Sequence, residues 1–154
     1  MNHWLFKSEP DTFSIDDLAG LPRQTTAWDG VRNYQARNML RDSVKKGDSA
    51  FFYHSSCAVP GISGIVKVTK SGHPDETAFD PRHPHYDAGS DSAEPRWYVV
   101  DVKLERKFDR VITLDELKKH AGRELADFVL LRRGNRLSVM PVTSREWNFI
   151  LTLE

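Results

Sequence analysis

The sequence predicts an α+β fold, a small β-barrel of about five strands with helices at its periphery. Short runs rich in aromatic and β-branched residues recur along the 154-residue chain, and such runs are typical of strands. Capping patterns that start short helices lie between these runs. The length fits a single domain over residues 1–154, because one domain commonly holds about 100–200 residues.

The first third of the chain predicts one strand and two helices. Residues 3–7 are centred on the apolar residues Trp4, Leu5 and Phe6 and predict the first strand. The segment Ser14 to Asp17 resembles a capping box and predicts a helix of one or two turns. Residues 28–30 predict a turn, and apolar residues at helical spacing predict a second helix over about residues 33–44.

The middle of the chain predicts three strands and one long loop. Aromatic and β-branched content predicts strands over residues 49–54, 61–69 and 97–104. Gly64 interrupts the second of these and indicates a bulge or a close backbone approach. Residues 71–95 are rich in Gly, Pro, Asp and His and predict a loop, which at this length is usually functional or mobile.

The last third alternates helices with one more strand. Capping boxes at residues 113–116 and 143–146 predict helices that run to about residues 120 and 151. A short helix is predicted over residues 126–131 and a strand over residues 136–142.

The charges argue against one class of nucleic-acid binder, the class that coats DNA or RNA without sequence preference. The chain has 22 basic and 22 acidic side chains, so its formal net charge is zero. Proteins that coat nucleic acid neutralise many phosphates, which a neutral chain does poorly. The charge is uneven, however: residues 75–95 hold one basic and six acidic side chains, whereas residues 96–136 hold eleven and seven. A local basic surface therefore remains compatible with nucleic acid.

The cysteine count and the pattern of apolar residues indicate the cellular compartment of the protein. Cys57 is the single cysteine, so no internal disulfide forms and a reducing compartment is expected. The N-terminal residues lack a signal-peptide pattern, and no apolar run approaches the roughly 20 residues of a membrane span. We expect a cytoplasmic protein, nuclear if the source is eukaryotic, with no membrane partner. A monomer is favoured.

Two candidate chemistries have simpler alternatives. Asp80, His83, His85 and Asp87 are metal-ligand types, but two intervening prolines favour a solvated loop, and no metal or cofactor is expected. An enzyme could instead use a set of nucleophilic and acid–base side chains, provided that folding brings them together. This catalytic alternative comprises Ser8, Glu9, His54 and Cys57.

Two of the four tryptophans stand in polar surroundings. Asp29 and Gly30 follow Trp28, and Arg96 precedes Trp97. A tryptophan in such surroundings can stack on a planar heterocycle, as in nucleic-acid recognition. The alternative for each is packing in the core with a satisfied indole N–H.

Several blocks of the sequence resemble the EVE domain family, and the resemblance runs from about residue 2 to residue 152. The blocks are residues 4–10, 28–38, 47–48, 52–55, 61–65, 95–97, 100–102 and 136–142. The resemblance implies a PUA-like barrel that binds a modified base of DNA or RNA, such as a 5-methylcytosine derivative, in a pocket. It implies a binding module without a known catalytic activity.

The resemblance also implies which residues form the site. The base pocket is expected to comprise Lys7, Ser8, Glu9, Trp28, Gly30, Val31, Asn33, Tyr34, His54, Ser55, Trp97, Leu137 and Ser138. Nearby arginines are expected to contact phosphates, and these are Arg32, Arg37 and Arg41. In the expected mechanism an extruded base stacks on Trp28 or Trp97. Replacing either tryptophan by alanine is expected to weaken binding while the fold survives.

Overall fold

The computed structural model describes residues 1–154 and contains one six-stranded mixed sheet and four short α-helices. The strands are β1 (His3–Ser8), β2 (Thr25–Ala27), β3 (Ser49–His54), β4 (Gly61–Pro74), β5 (Tyr98–Thr113) and β6 (Val139–Val142). The helices are α1 (Ile15–Ala19), α2 (Tyr34–Asn38), α3 (Leu114–Lys118) and α4 (Ser144–Leu151). The predicted α+β class is confirmed. None of these helices has the length and apolar character needed to cross a membrane.

The sheet is open rather than closed into a barrel. Its strand order is β2-β5-β4-β3-β1-β6, with β1 and β3 parallel and every other pair antiparallel. The edge strands β2 and β6 each pair with one neighbour only. The expected closed barrel of about five strands is therefore corrected to an open sheet of six strands.

Strong curvature brings distant strands of this open sheet together. Neighbouring strands lie about 4.8 Å apart, so β2 and β1, four steps apart, would be separated by about 19 Å in a flat sheet. Trp28 directly follows β2 and its backbone N–H still donates to Val100 of β5. Its ring centroid nevertheless lies 5.4 Å from that of Phe6 on β1. The sheet therefore curls, and a gap between β1 and the segment after β2 remains at its open side.

Two hydrophobic clusters cover the two faces of the sheet. Side chains of β1 alternate between them: Trp4 and Phe6 belong to one cluster and Leu5 to the other, as the two-residue period of a strand requires. The first cluster fills the concave side. The second packs under α3 and α4, which contribute Leu117 and Trp147. Both faces of the sheet are therefore buried.

Local capping chemistry sets several helix boundaries as predicted. Reciprocal capping boxes form between Ser14 and Asp17 at α1, and between Thr143 and Glu146 at α4. Thr113 caps α3 by accepting from the Glu116 backbone N–H. The helix predicted from residue 33 is confirmed as α2, which continues into one π-helical turn over Met39–Ser43.

Some elements differ from the prediction for physical reasons. The predicted helix over residues 126–131 is only a 3₁₀ turn at Val129–Leu131. β4 and β5 extend beyond their predicted ends because they pair with each other along their length. In the second half of β5, Phe108 and Ile112 are buried between exposed charged residues, and those charges hide the strand pattern. β2 has three residues of weak apolar character, so only its pairing with β5 defines it.

Candidate functional site

A cavity of about 610 Å³ occupies the gap between β1 and the segment that follows β2. Three groups of residues form its walls: Lys7, Ser8 and Glu9 at the end of β1, residues 26–31, and residues 83–85 of the long loop. Thr12, Phe13 and Ser138 complete the lining. The curvature of the sheet thus creates the cavity, since these segments are far apart in the strand order.

The apolar wall of the cavity is held by aromatic packing. Trp28 is only 6% exposed, and its ring packs edge-on against Phe52 with centroids 5.2 Å apart. Phe13 approaches it edge-on at 6.3 Å, and Phe6 lies behind it. Because Trp28 is fixed by these rings, it forms a preorganised floor rather than a mobile flap.

The end of β1 supplies polar groups to the opposite wall. The Ser8 hydroxyl donates to the Phe13 carbonyl at 2.5 Å, so part of its hydrogen-bonding capacity is already used. Burial lowers the pKa of Lys7, and this ammonium forms none of the ion pairs of the structure. The Lys7 backbone N–H donates to Ser138 at 2.8 Å, which brings Ser138 to the cavity rim. The Lys7 ammonium lies 6.0 Å from the ring centroid of Tyr53, which belongs to the second hydrophobic cluster, so this side chain follows the sheet face opposite to that of Trp28.

A buried carboxylate joins the turn after Trp28 to the long loop. Asp75 is 1% exposed and accepts from the Gly30 backbone at 3.1 Å, from Arg32 at 2.9 Å and from the Thr77 backbone at 3.0 Å. Arg32 also donates to the His85 carbonyl at 2.5 Å. Burial alone would raise the pKa of Asp75, but hydrogen bonds from Thr77, Gly30 and Arg32 outweigh it and leave the pKa lowered. The charged carboxylate therefore holds two cavity walls together.

Gly30 is required at its position by both backbone and space. Its φ is +78°, and a Cβ there would lie 2.6 Å from the His85 ring. We expect Gly30→Ala to lower the free energy of unfolding by about 1–3 kcal/mol, since the left-handed conformation and the contact both cost energy. The His85 ring must also move, so its NMR resonances should shift. Denaturant unfolding and NMR spectra of the variant measure both effects.

Gly122→Ala is the matched control for this substitution. A Cβ at Gly122 would meet nothing within 4 Å, so we expect a stability change within about 0.5 kcal/mol. Equal stability of Gly30→Ala and the parent, with unchanged His85 resonances, would contradict the tight packing of Gly30 on the imidazole.

The donor atoms of Asp29, His83 and His85 lie within 4.8 Å of one another, so these residues could hold a metal ion. The Nδ1 atom of His83 accepts the backbone N–H of His85 at 3.0 Å, which leaves a protonated Nε2 on a neutral ring. The Nδ1 atom of His85 is buried without a hydrogen-bond partner and lies 3.7 Å from Asp29. The group is therefore better suited to hydrogen bonding than to coordination.

The other two members of the metal motif considered in the sequence lie apart from this group. Asp87 accepts from the Trp97 indole at 2.6 Å, and this hydrogen bond is the main cause of its lowered pKa. Asp80 accepts from the Arg82 backbone N–H at 3.0 Å. Both carboxylates serve the local structure of the loop.

The structure brings seven of the residues expected in the base pocket to the cavity wall. They are Lys7, Ser8, Glu9, Trp28, Gly30, Val31 and Ser138. Six others lie outside this lining: Asn33, Tyr34, His54, Ser55, Trp97 and Leu137. Asn33 caps α2 by accepting from Ala36 at 2.9 Å. The Ser55 backbone N–H donates to Ser8 at 3.0 Å, and Leu137 packs against both hydrophobic clusters.

Trp97 is separated from the cavity by its own contacts. Its indole N–H donates to Asp87, and its ring stacks on Tyr34 with centroids 5.0 Å apart. The Arg32 guanidinium lies 5.4 Å from the Trp97 ring centroid. Tyr34 is 53% exposed on the outer side of this stack. The contacts of Trp97 are those of the alternative that the sequence left open, a satisfied indole in a packed position, and its expected place in the base pocket stays a prediction.

The three arginines expected at phosphates already bind protein acceptors. Arg32 donates to Asp75 and to the His85 carbonyl. Arg37 donates to the Arg96 carbonyl at 2.6 Å, and Arg41 forms a two-point ion pair with Asp42. Their guanidinium groups would have to leave these partners to bind phosphate through the same donors.

The residues of the catalytic alternative do not form a hydrogen-bonded set. The His54 Nε2 atom accepts from the Ile15 backbone N–H at 3.1 Å, and burial lowers the pKa of this imidazole. The Ser8 hydroxyl donates to a backbone carbonyl rather than to His54. Cys57 is half-buried and has no disulfide partner. No nucleophile in this group is hydrogen-bonded to a base.

Eight lining residues were not among those expected in the pocket. They are Thr12, Phe13, Thr26, Ala27, Asp29, His83, Pro84 and His85. The length of the predicted loop over residues 71–95 indicated a functional or mobile segment. Two histidines of this segment, His83 and His85, line the cavity. Nothing in the local pattern of Phe13 or Thr26 marks them, because the curl of the sheet decides their proximity.

Comparison with known proteins shows which family and which solved structures this chain resembles. The EVE domain model matches residues 2–153. Thymocyte nuclear protein 1 from human is 48% identical over 168 aligned residues, covering 99% of this chain and 74% of the relative. The chicken protein of the same name is also 48% identical and covers 99% of this chain and 68% of the relative.

Solved structures agree with this relationship. Human THYN1 in complex with 5-methylcytosine-containing DNA superimposes with a TM-score of 0.94 at 47% identity, covering 99% of this chain and 97% of that one. A protein from Pseudomonas putida superimposes with a TM-score of 0.92 at 48% identity, covering 98% of both chains. With a family match over nearly its whole length, this chain belongs to the EVE domain family.

Proposed function

We propose that this protein is a reader of modified DNA that holds one 5-methylcytosine base, turned out of the duplex, in the cavity beside Trp28. The observation that carries the proposal is the cavity, where a fixed aromatic wall of Trp28 and Phe13 faces polar groups. Its volume of about 610 Å³ lies within the usual range for small-ligand sites. The similar human THYN1, bound to 5-methylcytosine DNA, supports the same ligand class.

The polar groups of the cavity complement the edge of cytosine. Cytosine offers an exocyclic amino donor, and carboxylates accept from that group. Glu9 can fill this role, while Ser138 can donate to an acceptor atom of the ring. The site therefore has both an apolar surface for the ring and groups that orient it.

In this mechanism the free energy gained in the cavity offsets the cost of turning the base out of the duplex, and no chemical step is needed. Turning a base out of the stack costs a few kcal/mol. Contact with aromatic side chains returns about 1–3 kcal/mol per base, and hydrogen bonds add to it. Burial of the 5-methyl group contributes about 0.8 kcal/mol, which corresponds to about a fourfold preference for methylated DNA. A reader needs no more than such a differential affinity.

The proposal is tested by the affinity for two duplexes that differ in a single methyl group. We expect fluorescence anisotropy to show about fourfold tighter binding of the 5-methylcytosine duplex. Ala27 lines the cavity at the end of β2, so Ala27→Trp should fill the cavity and lower affinity for methylated DNA at least about tenfold. Equal affinities of the parent for both duplexes would refute the reading of this mark.

Ala126→Trp provides the control for the added bulk. Ala126 is exposed and does not line the cavity, so this variant should bind methylated DNA as the parent does. An RNA oligonucleotide of the same sequence that bound more tightly than DNA would overturn the assignment to DNA. The cytoplasmic location, or nuclear location in a eukaryote, stays a prediction from the sequence.

A further inference from the structure

We propose a second binding site, for phosphates of the strand that carries the extruded base, in a concavity beside the base cavity. This inference rests on the proposed function. The concavity has a volume of about 370 Å³ and lies between the start of α2 and the loop before β6. Its lining includes Arg132, Arg133 and Arg136 but no carboxylate. It is thus a basic depression in a protein whose net charge is zero.

Two chain segments connect this concavity to the base cavity. Val31 lines the base cavity and Asn33 lines the second concavity. Likewise, Ser138 lines the base cavity and Leu137 lines the second. Consecutive Cα atoms are 3.8 Å apart, so the two depressions share a border. A nucleotide whose base occupies the first would have its sugar–phosphate backbone at that border.

The arginines of the concavity have free donors. Arg133 and Arg136 are exposed, and the ion pairs and hydrogen bonds of the structure involve neither guanidinium. Arg132 has only a long contact of 3.4 Å to the Asp127 carbonyl. Guanidinium groups present paired donors that match phosphate oxygens. These side chains can therefore bind phosphate without giving up a protein partner, unlike Arg32 and Arg41.

The backbone that carries these arginines is held relative to the base cavity. Gly134 has a φ of +74° and allows the tight turn. Asn135 closes the turn: its backbone N–H donates to Arg132 at 3.2 Å, and its side-chain oxygen accepts from Leu137 at 3.1 Å. Ser138 follows Leu137, and its carbonyl accepts a hydrogen bond from the Lys7 backbone N–H of β1. The phosphate site and the base site therefore keep a fixed spacing.

The salt dependence of DNA affinity tests the site. Each phosphate contact to duplex DNA contributes about 0.9 to the slope of log K against log salt concentration. We expect the double variant Arg133→Ala, Arg136→Ala to lose about 1.8 from the magnitude of this slope and on the order of tenfold in affinity at low salt. The ratio of affinities for methylated and unmethylated duplexes should stay unchanged, because phosphates carry no base information.

The double variant Arg123→Ala, Arg145→Ala is the matched control. Both residues are exposed arginines without ion pairs, and Arg145 lies in the first turn of α4, which follows β6. The control should keep the slope and affinity of the parent. An unchanged slope in the Arg133 and Arg136 variant, or an equal loss in the control, would overturn the phosphate site. A parent without methyl preference would instead refute only the proposed function, since the slope is measured separately.

Discussion

Trp28→Ala should lower the free energy of unfolding by about 3–5 kcal/mol and abolish binding of methylated DNA. The indole is 6% exposed and touches Phe6, Phe13 and Phe52, so its removal leaves a void in the first hydrophobic cluster. A domain of this size has about 5–15 kcal/mol of stability in total. The variant should still fold, as the sequence analysis expects, but with a much smaller free energy of unfolding. Urea unfolding measures the loss.

Trp147→Ala is the control that distinguishes a loss of stability from a loss of the binding site. Trp147 is 7% exposed in the second cluster and stacks on Phe51 with centroids 3.9 Å apart, far from the cavity lining. Its truncation should cost a similar free energy and leave the affinity of the folded protein for methylated DNA intact. Stability of Trp28→Ala within 1 kcal/mol of the parent would contradict the packing described here.

Asp75→Ala should cost about 3–5 kcal/mol of stability, because it leaves buried donors and the Arg32 guanidinium without their acceptor. The carboxylate links the turn at Gly30 to the loop that carries His83 and His85. Its loss should therefore also loosen the cavity and weaken binding of methylated DNA. Thermal unfolding and anisotropy titrations on the same variant measure the two effects.

The stability that the Asp75 carboxylate contributes should decrease as the pH falls. The folded-state pKa of Asp75 lies below its ordinary value of 3.8, so the carboxylate stabilises the fold fully above that value. The contribution is lost as the pH falls through the lower folded-state pKa. The difference in stability between parent and Asp75→Ala should thus be constant near neutral pH and shrink in strong acid.

Glu76→Ala removes the same charge from the adjacent, exposed position. This control should change stability by less than about 0.5 kcal/mol. A loss as large as that of Asp75→Ala would mean that net charge, rather than the buried hydrogen bonds, accounts for the effect.

Local chemistry made several elements predictable. The capping boxes of α1 and α4 form because both partners lie within four residues of each other. β3 follows its aromatic run from Ser49 to His54. Where pairing partners are distant in sequence, as for β2 and the outer half of β5, the local pattern was too weak to define the strand.

Residues of the candidate site could be predicted where the end of a predicted strand lies at the cavity. Lys7 and Trp28 follow this rule. Trp97 shows its limit: beside Arg96 it had the polar neighbours of Trp28, yet its indole bonds to Asp87 and its ring stacks on Tyr34. Two tryptophans with similar neighbours in sequence thus lie in different surroundings, because packing depends on neighbours in space.

The sequence by itself determined the α+β class, the EVE family and most of the β1 and Trp28 walls, because these depend on short-range patterns and extended motifs. The tertiary structure decided that the sheet stays open, that its curl creates the cavity, and that Phe13, His83 and His85 line it. The tertiary structure also decided which arginines have guanidinium donors without a protein partner. Arg32 is held by Asp75, 43 residues away, whereas Arg133 and Arg136 have no such partner. Contacts between distant residues depend on the folded geometry, which no local pattern specifies.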